Sequence, residues 1–195
     1  MNLKEILDQM DNRTLLINLA VTQAILFVIG LLLYVFFLLP ETALSDLLHT
    51  HYLSFSLICG IAFAALVVSL DLVLMRLVPQ KYWDDGGVNE RLFRDVNVFQ
   101  IVLIALCVSF VEEWLFRGVL QNIVGWVWAS LLFALIHFRY LHNLVYGSLI
   151  VIISFGFGLL YELTGSFWSV LVAHFAIDFS LGLFIRYRWL SFFSE

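Results

Sequence analysis

Charge is the scarcest resource in this chain of 195 residues. Only 13% of them are Asp, Glu, Lys or Arg, 63% are hydrophobic, and the mean hydropathy is +0.99. A soluble domain has about 25% charged and about 45–50% apolar residues, and a chain this short cannot hide the difference from water. A soluble globular protein is therefore excluded, and so is a disordered tail. Cysteine is almost missing: Cys59 and Cys107 both lie in apolar runs, which excludes a disulfide framework. Basic residues are outnumbered 10 to 15, and a formal charge of −5 offers nucleic acid no footing. No internal repeat, low-complexity tract or polar linker divides the sequence. One membrane-embedded domain is what remains.

About 20 apolar residues in a helix span the roughly 30 Å hydrocarbon layer. Six stretches approach or exceed this, at about 15–39, 53–79, 97–119, 122–138, 144–163 and 166–187. The fourth is the shortest and opens on Gln121, Asn122 and Gly125. The only prolines, Pro40 and Pro79, stand where the first two runs stop, as helix-ending residues should. The first run follows an acidic segment, is long, and has no small-residue cleavage site after it, unlike a signal peptide. An all-α, polytopic protein with about six transmembrane helices around an internal polar cavity is expected.

Basic residues orient such a protein. Lys4 and Arg13 precede the first span, Arg76, Lys81, Arg91 and Arg94 surround the 2–3 connection, Arg139 lies between spans 4 and 5, and Arg186 and Arg188 follow span 6. Nine of the ten thus fall on one side, with both termini, which predicts a multi-pass protein with cytoplasmic ends. The segment 80–96, with its Asp85-Gly86-Gly87 turn, reads as a solvated polar loop.

Only Arg117 is left inside a span, and it has company. Glu112, Glu113 and Arg117 fall within six residues of span 3. Each ionisable group costs about 2.5–3.5 kcal/mol at mid-bilayer, so the cluster must face the protein interior and be partnered. Glu113 and Arg117 are four apart and can pair along one helix face. Glu112 is turned about 100° away and needs another partner. Candidates are His137, which closes span 4 behind Phe133, and the His174/Asp178 pair on span 6. A carboxylate beside an imidazole suits general-base activation of water. A second histidine with an acid can polarise a carbonyl oxygen. Taken singly, the residues are weak signals: an ion pair, an interfacial histidine, a helix–helix hydrogen bond. Asp71 reads as neutralised by Arg76 or another base at the cytoplasmic end, Glu162 as interfacial, and His49, His51 and His142 as surface residues.

Taken in order, Glu112-Glu113-x-x-x-Arg117-Gly118, Phe133-x-x-x-His137 and His174-x-x-x-Asp178 resemble the motifs of the CPBP (or Abi) family of intramembrane proteases, which groups CAAX proteases with bacteriocin-processing enzymes. The resemblance covers about 97–187, as a catalytic helix core. It leaves 1–96, two spans and a cytoplasmic loop, as a variable amino-terminal part and 188–195 as a short tail. It implies an endopeptidase acting on a peptide or membrane-associated protein, with Glu112 as general base assisted by His137, and His174 and Asp178 at the oxyanion. Glu113, Arg117 and Phe133 would support the site. Asp178 stands where many members have Asn, and as a carboxylate it would orient His174 rather than donate to the oxyanion.

No metal or other cofactor is expected. Two histidines with carboxylates could in principle hold zinc, but no HExxH spacing occurs. The bilayer and the substrate are the implied partners, a homo-oligomer is compatible with this reading, and the compact chain suggests a bacterial cell membrane. A scaffold or immunity protein and a proton-coupled transporter are the competing readings. With straight spans, Glu112 would lie about 22 Å from the start of span 3, while His137 would lie near the same membrane face. The two can meet only if span 3 starts beyond the membrane or 113–124 folds back as a separate short helix, and such a break is expected near Arg117–Gly125.

Overall fold

Hydrocarbon offers no partner to a backbone N–H or C=O, so apolar runs of this length must satisfy their hydrogen bonds internally as helices. The structure, a computed structural model, describes residues 10–39, 41–49, 51–79, 87–138 and 143–189, and no strand occurs among them. Helix α1 (Asn12–Leu33) widens into a π-helical turn at Tyr34–Leu38. It is followed by a single turn, α2 (Leu44–Leu47), and by α3 (Leu53–Leu77) and α4 (Val88–Phe93). Helix α5 (Val98–Glu113) runs through a π segment (Trp114–Leu120) into α6 (Gln121–Val124). Then come α7 (Trp126–Ile136), α8 (Leu144–Thr164) and α9 (Phe167–Arg186).

Side-chain caps fix several starts. Asp11 Oδ1 accepts from the Thr14 N–H at 2.8 Å, and Asn97 and Gln100 form a reciprocal capping box at the start of α5. Five stretches are long and apolar enough to cross a membrane: Asn12–Leu38, Leu53–Leu77, Val98–Val124, Val145–Thr164 and Phe167–Arg186. The expected fourth span is instead the 11-residue α7, about 16 Å long and half the thickness of the hydrocarbon layer.

Pairing sets the directions. Asn12 bonds Asp95, Gln23 bonds Glu112 and Gly30 abuts Trp114, so α1 runs with α5. Arg117 reaches Ser154 O and Gln121 reaches Gly158 O, so α8 runs with them too. His174 meets Glu113, and Arg186 reaches Arg94 O, so α9 runs against α5. Helices α3 and α9 run side by side, closest where Gly60 faces Ser169 and Val172. Beyond that point Ala64 and Val67 join Phe157, Val170, Ala173 and Ile177 in one core cluster. Small residues allow this close approach, the usual means of packing helices where lipid removes the hydrophobic drive.

Arg13, Arg76, Arg91, Arg94, Arg186 and Arg188 therefore gather at one end of the bundle. The segment 88–96, expected as solvated loop, is only partly so. Helix α4 buries Phe93, Val96 is buried beside it, and Arg91 donates to Met10 O. Glu90 and Arg94 form an exposed pair. The expectations for Pro40, Lys4, Lys81, Arg139, His142 and residues 80–86 lie outside the described residues.

Candidate functional site

The site is built at mid-bundle on α5. Glu112 is the fifteenth of the 27 residues of the continuous stretch Val98–Val124. Beyond it the helix loosens into the π segment, where six successive residues from Trp114 to Val119 are buried. The loosened turn is stitched from outside: Asn122 Nδ2 donates to Arg117 O at 2.9 Å and to Gly118 O at 3.1 Å. Single π turns of this kind are frequent at functional sites.

The chain then reverses at Gly125, whose φ of 82° and ψ of 162° belong to a region open almost solely to glycine. Helix α7 runs back beside the π segment and α8 and stops at Ile136. Glu112 lies 13 residues before Gly125 and His137 lies 12 after it, so both reach the same depth. The expected fold-back of 113–124 as a separate short helix does not occur: Val98–Val124 is one continuous helical stretch, and the chain reverses only at Gly125. The straight-span geometry that put His137 at a membrane face does not hold, because α7 never travels that far.

Three helices and α1 converge here. Glu112 Oε2 lies 3.8 Å from His137 Nε2, while its Oε1 accepts from Gln23 Nε2 at 3.2 Å. His137 Nδ1 sits 2.9 Å from Phe133 O, which sets the ring's direction. The neighbouring Glu113 points the other way. Its Oε1 is 3.3 Å from Arg117 Nη1 and 2.7 Å from His174 Nδ1. His174 Nε2 lies 3.5 Å from Asp178 Oδ2, so both ring nitrogens face carboxylates.

Glu113 and Arg117 are both fully buried, where an ion survives only with partners. Arg117 has them: Glu113, the Ser154 carbonyl at 3.1 Å, and the faces of Phe133 and Phe157 at 4.2 and 5.1 Å from its Cζ. Phe133 also lies against His137 and His174, with ring centroids 4.7 and 6.1 Å away, so one aromatic ring walls both halves of the site.

The structure thus brings together Glu112, Glu113, Arg117, Phe133, His137, His174 and Asp178. Asp71 is buried and, among the described residues, forms no ion pair with Arg76, one of the bases expected to neutralise it. Five residues apart, the two side chains diverge by about 140° around α3. Glu162 is exposed but not idle, accepting from Gln121 Nε2 at 2.9 Å. Sequence reasoning missed Gln23, Ser154 and Phe157. Ionisable groups carried the signal, and the only trace of Gln23 was an uncharged amide in an apolar run. Among the described residues no three His, Cys, Asp or Glu side chains are grouped as a metal ion would need.

A family model described as type II CAAX prenyl endopeptidase, Rce1-like, matches residues 94–180, a stretch containing all seven residues just named. The uncharacterized protein YpbD of Bacillus subtilis (strain 168) is 40% identical over 129 residues, 66% of this chain and 68% of that one. No solved structure matches the chain significantly.

Proposed function

The chain belongs to the Rce1-like CAAX endopeptidase family, within the CPBP group of intramembrane proteases, and on that premise we propose a glutamate-based peptide hydrolysis centred on Glu112. The observation that carries it is the gap between Glu112 Oε2 and His137 Nε2. At 3.8 Å it is too long for a direct hydrogen bond and suits a bridging water. Oε2 has no hydrogen-bond partner within the described residues.

In this reading Glu112 takes a proton from water while the water oxygen bonds to the scissile carbonyl carbon. The carbonyl's electron pair moves to its oxygen, which is stabilised by the positive charge of a His174 imidazolium held between Glu113 and Asp178. The C–N bond then breaks as the proton on Glu112 passes to the leaving nitrogen. His137 holds the water in line. Glu113, Arg117 and Phe133 keep α5, α8 and α9 in register around it.

Zinc fits these residues poorly. Both nitrogens of His174 already face carboxylate oxygens, which leaves too few free ligands for a closed or catalytic site, so no step runs through a metal. Cleavage should survive a zinc chelator at concentrations that strip zinc proteases. Substrate enters from the arginine-rich end, which α7 leaves uncovered by ending at mid-depth with His137, and the positive-inside rule makes that end cytoplasmic. The substrate is a peptide or a membrane-anchored protein.

The test is terminal-peptide profiling of host membranes expressing the chain or its Glu112→Gln variant at equal levels. New termini should appear only with the unaltered chain. A scaffold or immunity protein would give identical profiles, and that result would overturn the proposal.

A further inference from the structure

The amide of Gln23 is buried in the first helix, outside every motif that defines the site, yet it touches the central carboxylate. Gln23 is only 4% exposed, in a helix whose neighbouring side chains mostly face outward. Its Nε2 donates to Glu112 Oε1 at 3.2 Å across 89 residues of chain. Its own Oε1 is buried with no hydrogen-bond partner among the described residues. A buried acceptor left without a donor is costly, so packing alone would favour Leu or Met there. What the amide does supply is a donor to one oxygen of a carboxylate whose other oxygen has none among the described residues.

We infer that Gln23 is a positioning residue for this site: by holding Oε1 it turns the other oxygen of Glu112 toward His137. The inference rests on Glu112 being the base. A glutamate side chain has three rotatable bonds, and a hydrogen bond that fixes one oxygen keeps Oε2 facing His137. The donor comes from α1, so the amino-terminal helix, read from sequence as a variable part, completes the machinery. Glycine spacing fits the role. Gly30, two turns further along, meets Trp114 so closely that an added Cβ would lie 2.8 Å from its Nε1, which seats α1 firmly against the π segment.

Two readouts test this on the detergent-purified full chain. The first is infrared spectroscopy of the carboxylate band that disappears in Glu112→Gln. In Gln23→Leu and in Gln23→Met that band should shift, as a carboxylate does on losing a donor. The second is steady-state cleavage of a quenched peptide spanning a site found by the terminal profiling. Both variants should lose about 10- to 100-fold in kcat with KM nearly unchanged, and Gln23→Asn should recover part of the loss. Two variants of similar length guard against one failing to fold. A band that stays in place in both overturns the inference whatever the protein cleaves, as does wild-type kcat. If instead the band shifts but Glu112→Gln cleaves normally, the base assignment fails and takes the positioning role with it.

Discussion

His174 Nδ1 lies 2.7 Å from Glu113 Oε1, so the histidine of α9 is anchored on the carboxylate next to the one we assign to catalysis. The same oxygen receives Arg117 at 3.3 Å. Arg117 continues to the backbone of α8. One carboxylate thereby ties three helices together, and the two adjacent glutamates, a third of a turn apart, serve different tasks.

Removing that tie should unfold rather than merely inactivate. Glu113→Gln leaves a fully buried guanidinium short of its counter-charge, at a cost of about 3–5 kcal/mol. Glu112→Gln breaks no ion pair of Arg117 and should melt within a degree or two of the unaltered chain. Thermal unfolding in detergent separates them. Equal melting temperatures would mean that Glu113 does not brace the bundle.

Gly125 faces open space: a Cβ there would meet nothing within 4 Å. The cost of Gly125→Ala is therefore backbone strain alone, about 1–3 kcal/mol. Cleavage should fall further than stability does, since relaxing the reversal tilts α7 and carries His137 away from Glu112. Comparing the melting temperature with kcat in one preparation checks this.

Gly60 is the opposite case. An added Cβ would collide with the Ser169 carbonyl oxygen and with Val172 Cγ1. Backbone cannot yield as a side-chain tip can, so Gly60→Val should part α3 from α9 and cost several kcal/mol. Gly87→Ala, strained only in its φ of 82° with no neighbour near, should cost far less. Expression and melting of the two proteins give the ranking.

Asp11 supplies a pH dependence away from the membrane interior. The Thr14 hydroxyl and then its N–H hold the Asp11 carboxyl below its ordinary 3.8. A folded value below the unfolded one means the cap's contribution is complete above about pH 4 and fades as pH falls through the lowered value. The protection of the Thr14 amide, its exchange rate relative to an unstructured chain at the same pH, should fall over that acidic window in the unaltered chain. In Asp11→Ala that added loss of protection should vanish.

Much of this architecture was legible in the order of residues alone. Apolar runs located the helices because lipid permits little else, and the rarity of buried charge singled out Glu112, Glu113 and Arg117. Two things were not legible. Span counting assumed that each apolar run crosses fully, and hydropathy cannot tell an 11-residue helix that turns back from a short crossing one. The rarity of charge also gave no hint of Gln23, because an amide costs too little in an apolar run to stand out. Asp71 shows the reverse error: nearness in sequence to Arg76 suggested a pair that the helical twist forbids.

The reversal at Gly125 has one more consequence, for how such chains can vary over time. Glu112 and His137 face each other only because their arms, 13 and 12 residues long, are matched about one pivot. A single inserted residue in either arm would swing one side chain by about 100° and shift it by about 1.5 Å. Most substitutions in these arms should leave the pair facing, whereas one residue gained or lost in either arm should part it. The stretch from 112 to 137 acts as a ruler whose length sets that meeting.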